Sequence, residues 1–243
     1  AFVRMHARFS APDCHELLNT LTYDRTYIID LTGRTPEKIA AAMPKDGRRG
    51  VKRAERVAKE AGVVIKDETG MDRATFDEVY RVLEETSERD GFTPHSADVY
   101  WTMLTTLGEQ ARMYVARLDG RPVAWVLVVV NGISSVAYYG ASTTADRATR
   151  AAEATDWYAA CDLAAKGYKG YDFMGAGSTR VPELYSVGMY KKRFAQHPTE
   201  VDGAWDVPVQ RPVFEALVAA KKAKHLVRKA TVVASKASEA IKR

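Results

Sequence analysis

The order of secondary-structure signals along this sequence predicts an α/β fold, a mixed sheet flanked by helices. From Val63 onward the signals run strand, two helices, three antiparallel strands, helix, strand, helix and strand. Asp119-Gly120 and Asn131-Gly132 predict the hairpin turns that join the three central strands. The apolar run 123–130 predicts a middle strand that is covered on both faces, as a sheet between two layers of helices requires.

The first 62 residues are predicted to form a separate, smaller element. The segment TYIIDLTG (26–33) reads as a buried strand, and Thr35 followed by Pro36 reads as a helix start. A second helix is expected over roughly residues 47–61, with arginines along its outer face. A solvated surface and contact with RNA or an acceptor phosphate both explain that face.

The remaining helices are placed by their capping residues. Thr75 and Glu78 form a capping-box pattern for a helix that Gly91 ends, and Ser96 begins the next one. An alanine-rich helix is expected over about 144–166, before the strand GYDFMG. The domain organisation predicted is 1–62, a central domain at 63–210, and a basic C-terminal helix at 211–243.

Composition excludes several classes of protein. With 46% hydrophobic residues the chain has enough apolar side chains for a core, and its net charge of +5 weakly favours an anionic partner. Two distant cysteines and scattered histidines show no metal-ligand or disulfide spacing, so no metal is predicted. No apolar run approaches the ~20 residues that span a bilayer, and no signal peptide is recognisable. A cytoplasmic location is expected.

The element order suits the sheet of the GNAT family of N-acyltransferases, which implies an acyl-CoA donor. A CoA pyrophosphate needs backbone N–H groups at a helix N-terminus, usually in an Arg/Gln-x-x-Gly-x-Gly/Ala turn. The corresponding stretch here, GASTTADRATRAAEATDW, has no glycine after Gly140. The sequence therefore predicts a member of this fold that uses no cofactor.

Four segments, in order, resemble the FemXAB aminoacyltransferases. Residues 26–65 resemble that family's strand, basic helix and Gly-Val-x-Val strand, and residues 115–142 resemble its strand-rich middle. GYKGYDFMG is similar to its Tyr-Asp-Phe-x-Gly strand, and YSVGMYKKRFA to its Leu-Tyr-x-Phe-Lys-x-x-Phe-Gly signature. The resemblance implies amino-acid transfer from aminoacyl-tRNA to an amine by two GNAT-like domains. This chain would hold the second domain and the end of the first, and a partner would supply the missing half-domain.

The resemblance also implies roles for individual residues. Lys191 matches the signature lysine and is expected to stabilise the oxyanion of ester aminolysis, with Tyr190 beside the terminal adenosine of the tRNA. Without the resemblance, this cation cluster reads as a helix end that complements the helix dipole. The predicted tRNA-phosphate contacts are Lys192, Arg193, Lys221, Lys222, Lys224, Arg228 and Lys229.

One departure from the family bears on the acceptor. Where members acting on the cell-wall nucleotide read Gly-Phe-x-x-Arg-x-x-x-Tyr, this chain reads GFTPHSADVY, with His95 at the arginine position and Tyr100 one residue late. This and the chain length favour the amine of a peptidyl-nucleoside antibiotic intermediate, as for the alanyltransferase of the pacidamycin pathway, over a peptidoglycan precursor. His95, Tyr100, Tyr139 and Asp172 are the predicted acceptor contacts.

Some alternatives stay open at this point. Asp172 serves equally well as a structural hydrogen-bonding group, and Tyr138 and Tyr139 are expected to alternate, one lining the cleft and one packing. An ordinary acyl-CoA N-acyltransferase and a non-catalytic tRNA-binding module are the two rival functions.

Overall fold

A computed structural model describes residues 2–7, 11–18 and 22–223. The strands, in chain order, are β1 (Phe2–Ala7), β2 (Arg25–Asp30), β3 (Val64–Asp67), β4 (Ala111–Leu118), β5 (Arg121–Asn131), β6 (Ser134–Ser142), β7 (Gly170–Gly175), β8 (Thr199–Glu200) and β9 (Gly203–Pro208). The helices are α1 (Pro36–Ala42), α2 (Lys45–Glu60), α3 (Arg73–Asp90), α4 (Ala97–Leu107), α5 (Ala151–Ala165), α6 (Tyr185–Lys191) and α7 (211–223).

A seven-stranded mixed sheet with the order β3-β4-β5-β6-β7-β2-β8 organises the fold. The pair β6–β7 is parallel, whereas β3–β4, β4–β5, β5–β6 and β2–β7 are antiparallel. The GNAT-like sheet predicted from the sequence is therefore confirmed. A separate antiparallel ladder joins β1 to β9.

Helices cover both faces of the sheet, as the apolar run in β5 predicts. Trp125 and Leu127 belong to a core cluster with α3 and α4, whereas Val126 and Val128 pack with residues of α1, α2 and α5. Successive residues of a strand point to opposite faces, so one strand supplies both cores. The two layers together bury β5 along most of its length.

The chain forms two compact units. The larger comprises Arg25–Gly177 and Glu183–Thr199, and the smaller comprises Ala1–Asp24, Ser178–Pro182 and Glu200–Arg243. Residues 25–62, which the sequence suggested as part of a separate element, lie in the larger unit, where β2 pairs with β7. In the smaller unit, the buried Asp206 carboxylate accepts hydrogen bonds from the Arg4 guanidinium and the Leu18 backbone N–H.

Two helix starts differ from those predicted. Helix α3 is capped by Asp72, whose carboxylate accepts a hydrogen bond from the Thr75 N–H at 2.8 Å, so Thr75 is not the capping residue. Helix α5 begins at Ala151, not near Thr144, because Arg150 takes a left-handed conformation with φ of 57°. The predicted end of α3 at Gly91, with φ of 74°, is confirmed.

Candidate active site

A cavity of about 390 Å³ opens in the larger unit where β6 and β7 stop pairing. The two parallel strands pair only from Ser134–Gly170 to Val136–Asp172. Beyond these pairs, Ala137–Ser142 of β6 and Phe173 and Met174 of β7 line the cavity. Crevices beyond the carboxyl ends of parallel strands are common ligand sites because the chain leaves the sheet there. The crevice between these two strands is therefore the candidate binding site.

Both tyrosines of β6 contribute to the lining of this cavity, and Tyr139 also packs against the core cluster that contains Tyr100. The β5–β6 register shifts between Leu127, opposite Tyr139, and Val128, opposite Ala137, which leaves Tyr138 as an extra residue. Such a bulge interrupts the strict alternation of side chains along a strand. The Tyr138 side chain is 43% exposed, whereas the Tyr139 ring packs edge-on against Tyr100 with centroids 4.8 Å apart.

Lys191 lies at the cavity, at the last residue of α6. Its ammonium Nζ donates a hydrogen bond of 2.6 Å to the Gly175 carbonyl oxygen at the end of β7. Burial lowers the pKa of Lys191 from 10.5 to about 8, and the nearby Asp172 and Asp156 carboxylates limit that shift. The side chain is therefore a fixed and mostly protonated cation at neutral pH.

Asp156, which the sequence did not single out, holds the neighbouring tyrosine in place. Its carboxylate accepts hydrogen bonds from the hydroxyls of Tyr190, at 2.5 Å, and Tyr171, at 2.8 Å. Burial raises the pKa of Asp156 to about 6, and the two hydroxyl donors and Lys191 pull it in the other direction. Asp156 is separated from its partners by 15 and 34 residues along the chain, so no local sequence signal identifies it.

Tyr190 is a fixed component of the site. Besides its bond to Asp156, its ring packs edge-on against Phe173 and Phe194. The pKa of Tyr190 is raised, first by burial and then by the Asp156 charge. Within the described residues, Tyr138 presents a more exposed ring to the cavity than Tyr190 does.

Asp172 is occupied by hydrogen bonds at the end of β7. Its carboxylate accepts one from the Met174 backbone N–H at 2.7 Å and one from the Thr26 hydroxyl. Asp172 does not line the cavity, although its charge acts on Lys191. These bonds stabilise the backbone turn at Met174, whose φ is 61°.

His95 and Tyr100 are also outside the cavity lining. His95 is exposed, and its backbone carbonyl accepts a hydrogen bond of 2.6 Å from the Tyr80 hydroxyl. Tyr100 is 3% exposed and belongs to the core beneath α3 and α4. Of the four predicted acceptor contacts, only Tyr139 lines the cavity.

The predicted RNA contacts have different surroundings. The Lys192 side chain is exposed and makes no hydrogen bond or ion pair to other described residues, whereas the Arg193 guanidinium lies 3.5 Å from the buried Glu153 carboxylate. In the smaller unit Lys222 is exposed, and Lys221 donates a hydrogen bond of 3.2 Å to the Leu17 carbonyl. Lys224, Arg228 and Lys229 are outside the described residues.

Comparison with known proteins places the chain in a family. Residues 45–192 match the family model described as an acetyltransferase (GNAT) domain. That span is more than half of the chain, so the protein belongs to the GNAT acetyltransferase family. Acyl transfer is therefore its class of reaction. No curated protein matches the sequence.

Several solved structures share the fold of this chain. FemX is 15% identical with a TM-score of 0.67, and the match covers 88% of this chain and 68% of FemX. The C-terminal domain of a lysylphosphatidylglycerol synthetase from Agrobacterium fabrum is 13% identical (TM-score 0.57), covering 82% of this chain and 65% of that one. L-PGS from Bacillus licheniformis is 13% identical (TM-score 0.54), covering 83% and 66%. The chain thus spans about two thirds of each of these proteins.

The first turn of α5 does not fit the CoA pyrophosphate that the GNAT family implies. Glu153 lies in that turn with 7% exposure, and its carboxylate pairs with Arg150. Because the connection from β6 to α5 also lacks the glycine turn, these residues do not form a CoA cradle.

Metal sites and membrane-spanning helices are absent from the part of the chain that the structure describes. Among residues 2–7, 11–18 and 22–223, no three His, Cys, Asp or Glu side chains are grouped so that they could hold a metal ion. Across the same residues, no helix has the length and apolar character needed to cross a membrane.

Proposed function

We propose that this protein transfers an amino acid from aminoacyl-tRNA to the amine of an acceptor, forming an amide bond. The position of Lys191 carries the proposal: a hydrogen-bonded cation at the wall of a cavity between β6 and β7. The connection from β6 to α5 favours this donor over acyl-CoA, because it lacks the glycine turn that usually brings backbone N–H groups to a pyrophosphate. The shared fold with FemX supports the same reaction class.

The reaction needs a cation where negative charge develops. The acceptor nitrogen attacks the carbonyl carbon of the ester that links the amino acid to the terminal ribose. The carbonyl electron pair moves to oxygen, the carbon–oxygen ester bond then breaks, and the departing ribose oxygen takes up the proton that the amine releases. The Lys191 ammonium stabilises the oxyanion, an effect worth about 10²–10³ in rate for one such donor.

The proposal gives roles to the neighbouring tyrosines. Asp156 orients the Tyr190 hydroxyl, which holds the final turn of α6 and hence Lys191 beside the reacting carbonyl. The exposed Tyr138 ring offers a stacking surface for the terminal adenine, because base stacking requires only a free aromatic face. Lys192 then contacts an RNA phosphate, as do the lysines of α7.

The acceptor proposed is a peptidyl-nucleoside antibiotic intermediate, with a peptidoglycan precursor as the second choice. The exposed His95 in place of an arginine supports this preference, since it offers no fixed bidentate phosphate ligand. Tyr139 is the one predicted acceptor contact that lines the cavity.

Family membership favours a second candidate, acyl-CoA-dependent N-acyl transfer. Titrating the protein with charged total tRNA, the same tRNA after deacylation, and acetyl-CoA separates these functions. We expect preference for the charged tRNA. Equal binding of both tRNAs would indicate a non-catalytic RNA-binding module, and binding of acetyl-CoA alone would contradict the proposal.

A substitution at Lys191 tests the chemistry. The assay uses a total amine pool as the acceptor. The Lys191→Met substitution should lower the single-turnover rate of transfer by about 10²–10³. The dissociation constant for charged tRNA should change little, because the lost charge acts on the oxyanion. Lys192→Met is the matched control, and it should weaken binding and not the chemical step. Transfer by Lys191→Met at the normal rate would remove Lys191 from the mechanism.

A further inference from the structure

Helix α2 presents a basic surface that the site described above does not use. Its 16 residues include seven Lys or Arg and three acids, and every residue of the helix that is exposed is charged. At 100° per residue, four cations fall within about 80° of one another on the outer side. This set, named here the α2 stripe, consists of Lys45, Arg49, Arg53 and Arg56.

Most of the α2 stripe has no counter-charge. Arg56 pairs with Glu60 at 2.8 Å, whereas Lys45, Arg49 and Arg53 have no ion pair with any residue in the described ranges. The stripe runs for about 17 Å along the helix, at 1.5 Å per residue. A row of unpaired cations on a rigid helix raises the local concentration of polyanions and leaves its guanidinium groups free to bind phosphate.

The packing of α2 connects the stripe to the segment that carries Lys191. A Cβ atom on Gly47 would lie 1.6 Å from the Arg193 carbonyl oxygen, and one on Gly50 would lie 3.0 Å from the Arg193 guanidinium. These two glycines allow the underside of α2 to pack directly on the residue two positions after Lys191. The N-terminal part of α2 therefore packs beside the end of α6, and the α2 stripe lies on the opposite, exposed side of the helix.

We propose that the α2 stripe binds the phosphate backbone of the tRNA donor and directs its acceptor end toward Lys191. This inference rests on the proposed function and extends it to the surface that holds the rest of the RNA. A charged stripe with no exposed apolar residue suits a solvated phosphate backbone. Helices that insert into a membrane surface carry an apolar face for the lipid, and the exposed face of α2 carries none.

The test compares two double variants, each of which removes two positive charges. Arg49→Gln/Arg53→Gln removes two stripe cations, and Lys66→Gln/Arg81→Gln removes two exposed cations on β3 and α3. Binding of deacylated total tRNA is measured by fluorescence anisotropy across a salt series, with circular dichroism confirming that each variant is folded. The stripe variant should bind about 10- to 100-fold more weakly near 0.1 M salt, and its log–log salt slope should fall by about 1.5–2. The control should change neither value by a comparable amount.

Three results would overturn the inference. One is a stripe variant with the affinity and salt slope of the unmodified protein, and another is a control that loses as much as the stripe variant. The third is a stripe variant that keeps tRNA binding but loses binding to phosphatidylglycerol vesicles, since α2 would then contact membranes. Deacylated tRNA carries no amino acid, so this binding assay does not depend on transfer. If the stripe variant binds tRNA more weakly as expected but the unmodified protein transfers no amino acid, the result counts against the proposed function alone.

Discussion

Replacing Lys191 with methionine should change how the stability of the protein depends on pH. The ammonium group is half-buried, and burial lowers its pKa from 10.5 to about 8. Methionine has a similar length and no charge, so it removes the titration and keeps most of the packing. The variant therefore isolates the free energy of keeping a cation at the cavity wall.

The sign and size of this pH dependence follow from the pKa of Lys191 in the unfolded chain and in the folded chain. Between pH 8 and pH 10.5 the unfolded chain holds a proton on Lys191 that the folded chain has released, so stability from this group rises with pH. This contribution of Lys191 to the unfolding free energy is fully present above pH 10.5 and is lost as pH falls through about 8. A shift from 10.5 to about 8 corresponds to at most about 3 kcal/mol.

Urea unfolding followed by tryptophan fluorescence, from pH 7 to pH 10.5, measures this effect. The unfolding free energy of the unmodified protein minus that of Lys191→Met should increase by up to about 3 kcal/mol over the upper part of this range. Titrating groups that do not interact with Lys191 cancel in the difference. Lys192→Met, which removes the adjacent exposed lysine, is measured alongside as the control. Parallel curves for Lys191→Met would refute the lowered pKa.

Two further substitutions test the packing around the site. Gly47→Ala should lower the unfolding free energy by about 1–3 kcal/mol in urea titration, since its Cβ would lie 1.6 Å from the Arg193 carbonyl; unchanged stability would mean that this contact is not so close. Tyr190→Phe should also lower the unfolding free energy by about 1–3 kcal/mol. The loss should be larger above pH 6 than below it, because the ionised Asp156 carboxylate then lacks one of its hydrogen-bond donors. Tyr158→Phe, with an exposed hydroxyl, is its control, and equal losses from both tyrosines would contradict the role given to Asp156.

Local patterns in the sequence were sufficient to predict most of the secondary structure. The Asp119-Gly120 turn, the helix end at Gly91 and the Pro36 helix start all depend on backbone preferences of one or two residues, and each is confirmed. The alternating cores on either side of β5 follow from its apolar run in the same way. The place of Lys191 at the candidate site was also proposed from a contiguous motif.

The tertiary structure was needed for the features that depend on distant residues or on register. Asp156 meets Tyr171 and Tyr190 only after α5 packs against the sheet, and Glu153 meets Arg193 in the same way. The side-chain directions of Tyr138 and Tyr139 depend on a bulge opposite β5 that no residue pattern within β6 encodes. Residues 25–62 seemed separable because strand and helix signals carry no information about which strand is the neighbour. Hydrogen bonding of β2 to β7, more than 130 residues away, decides that point.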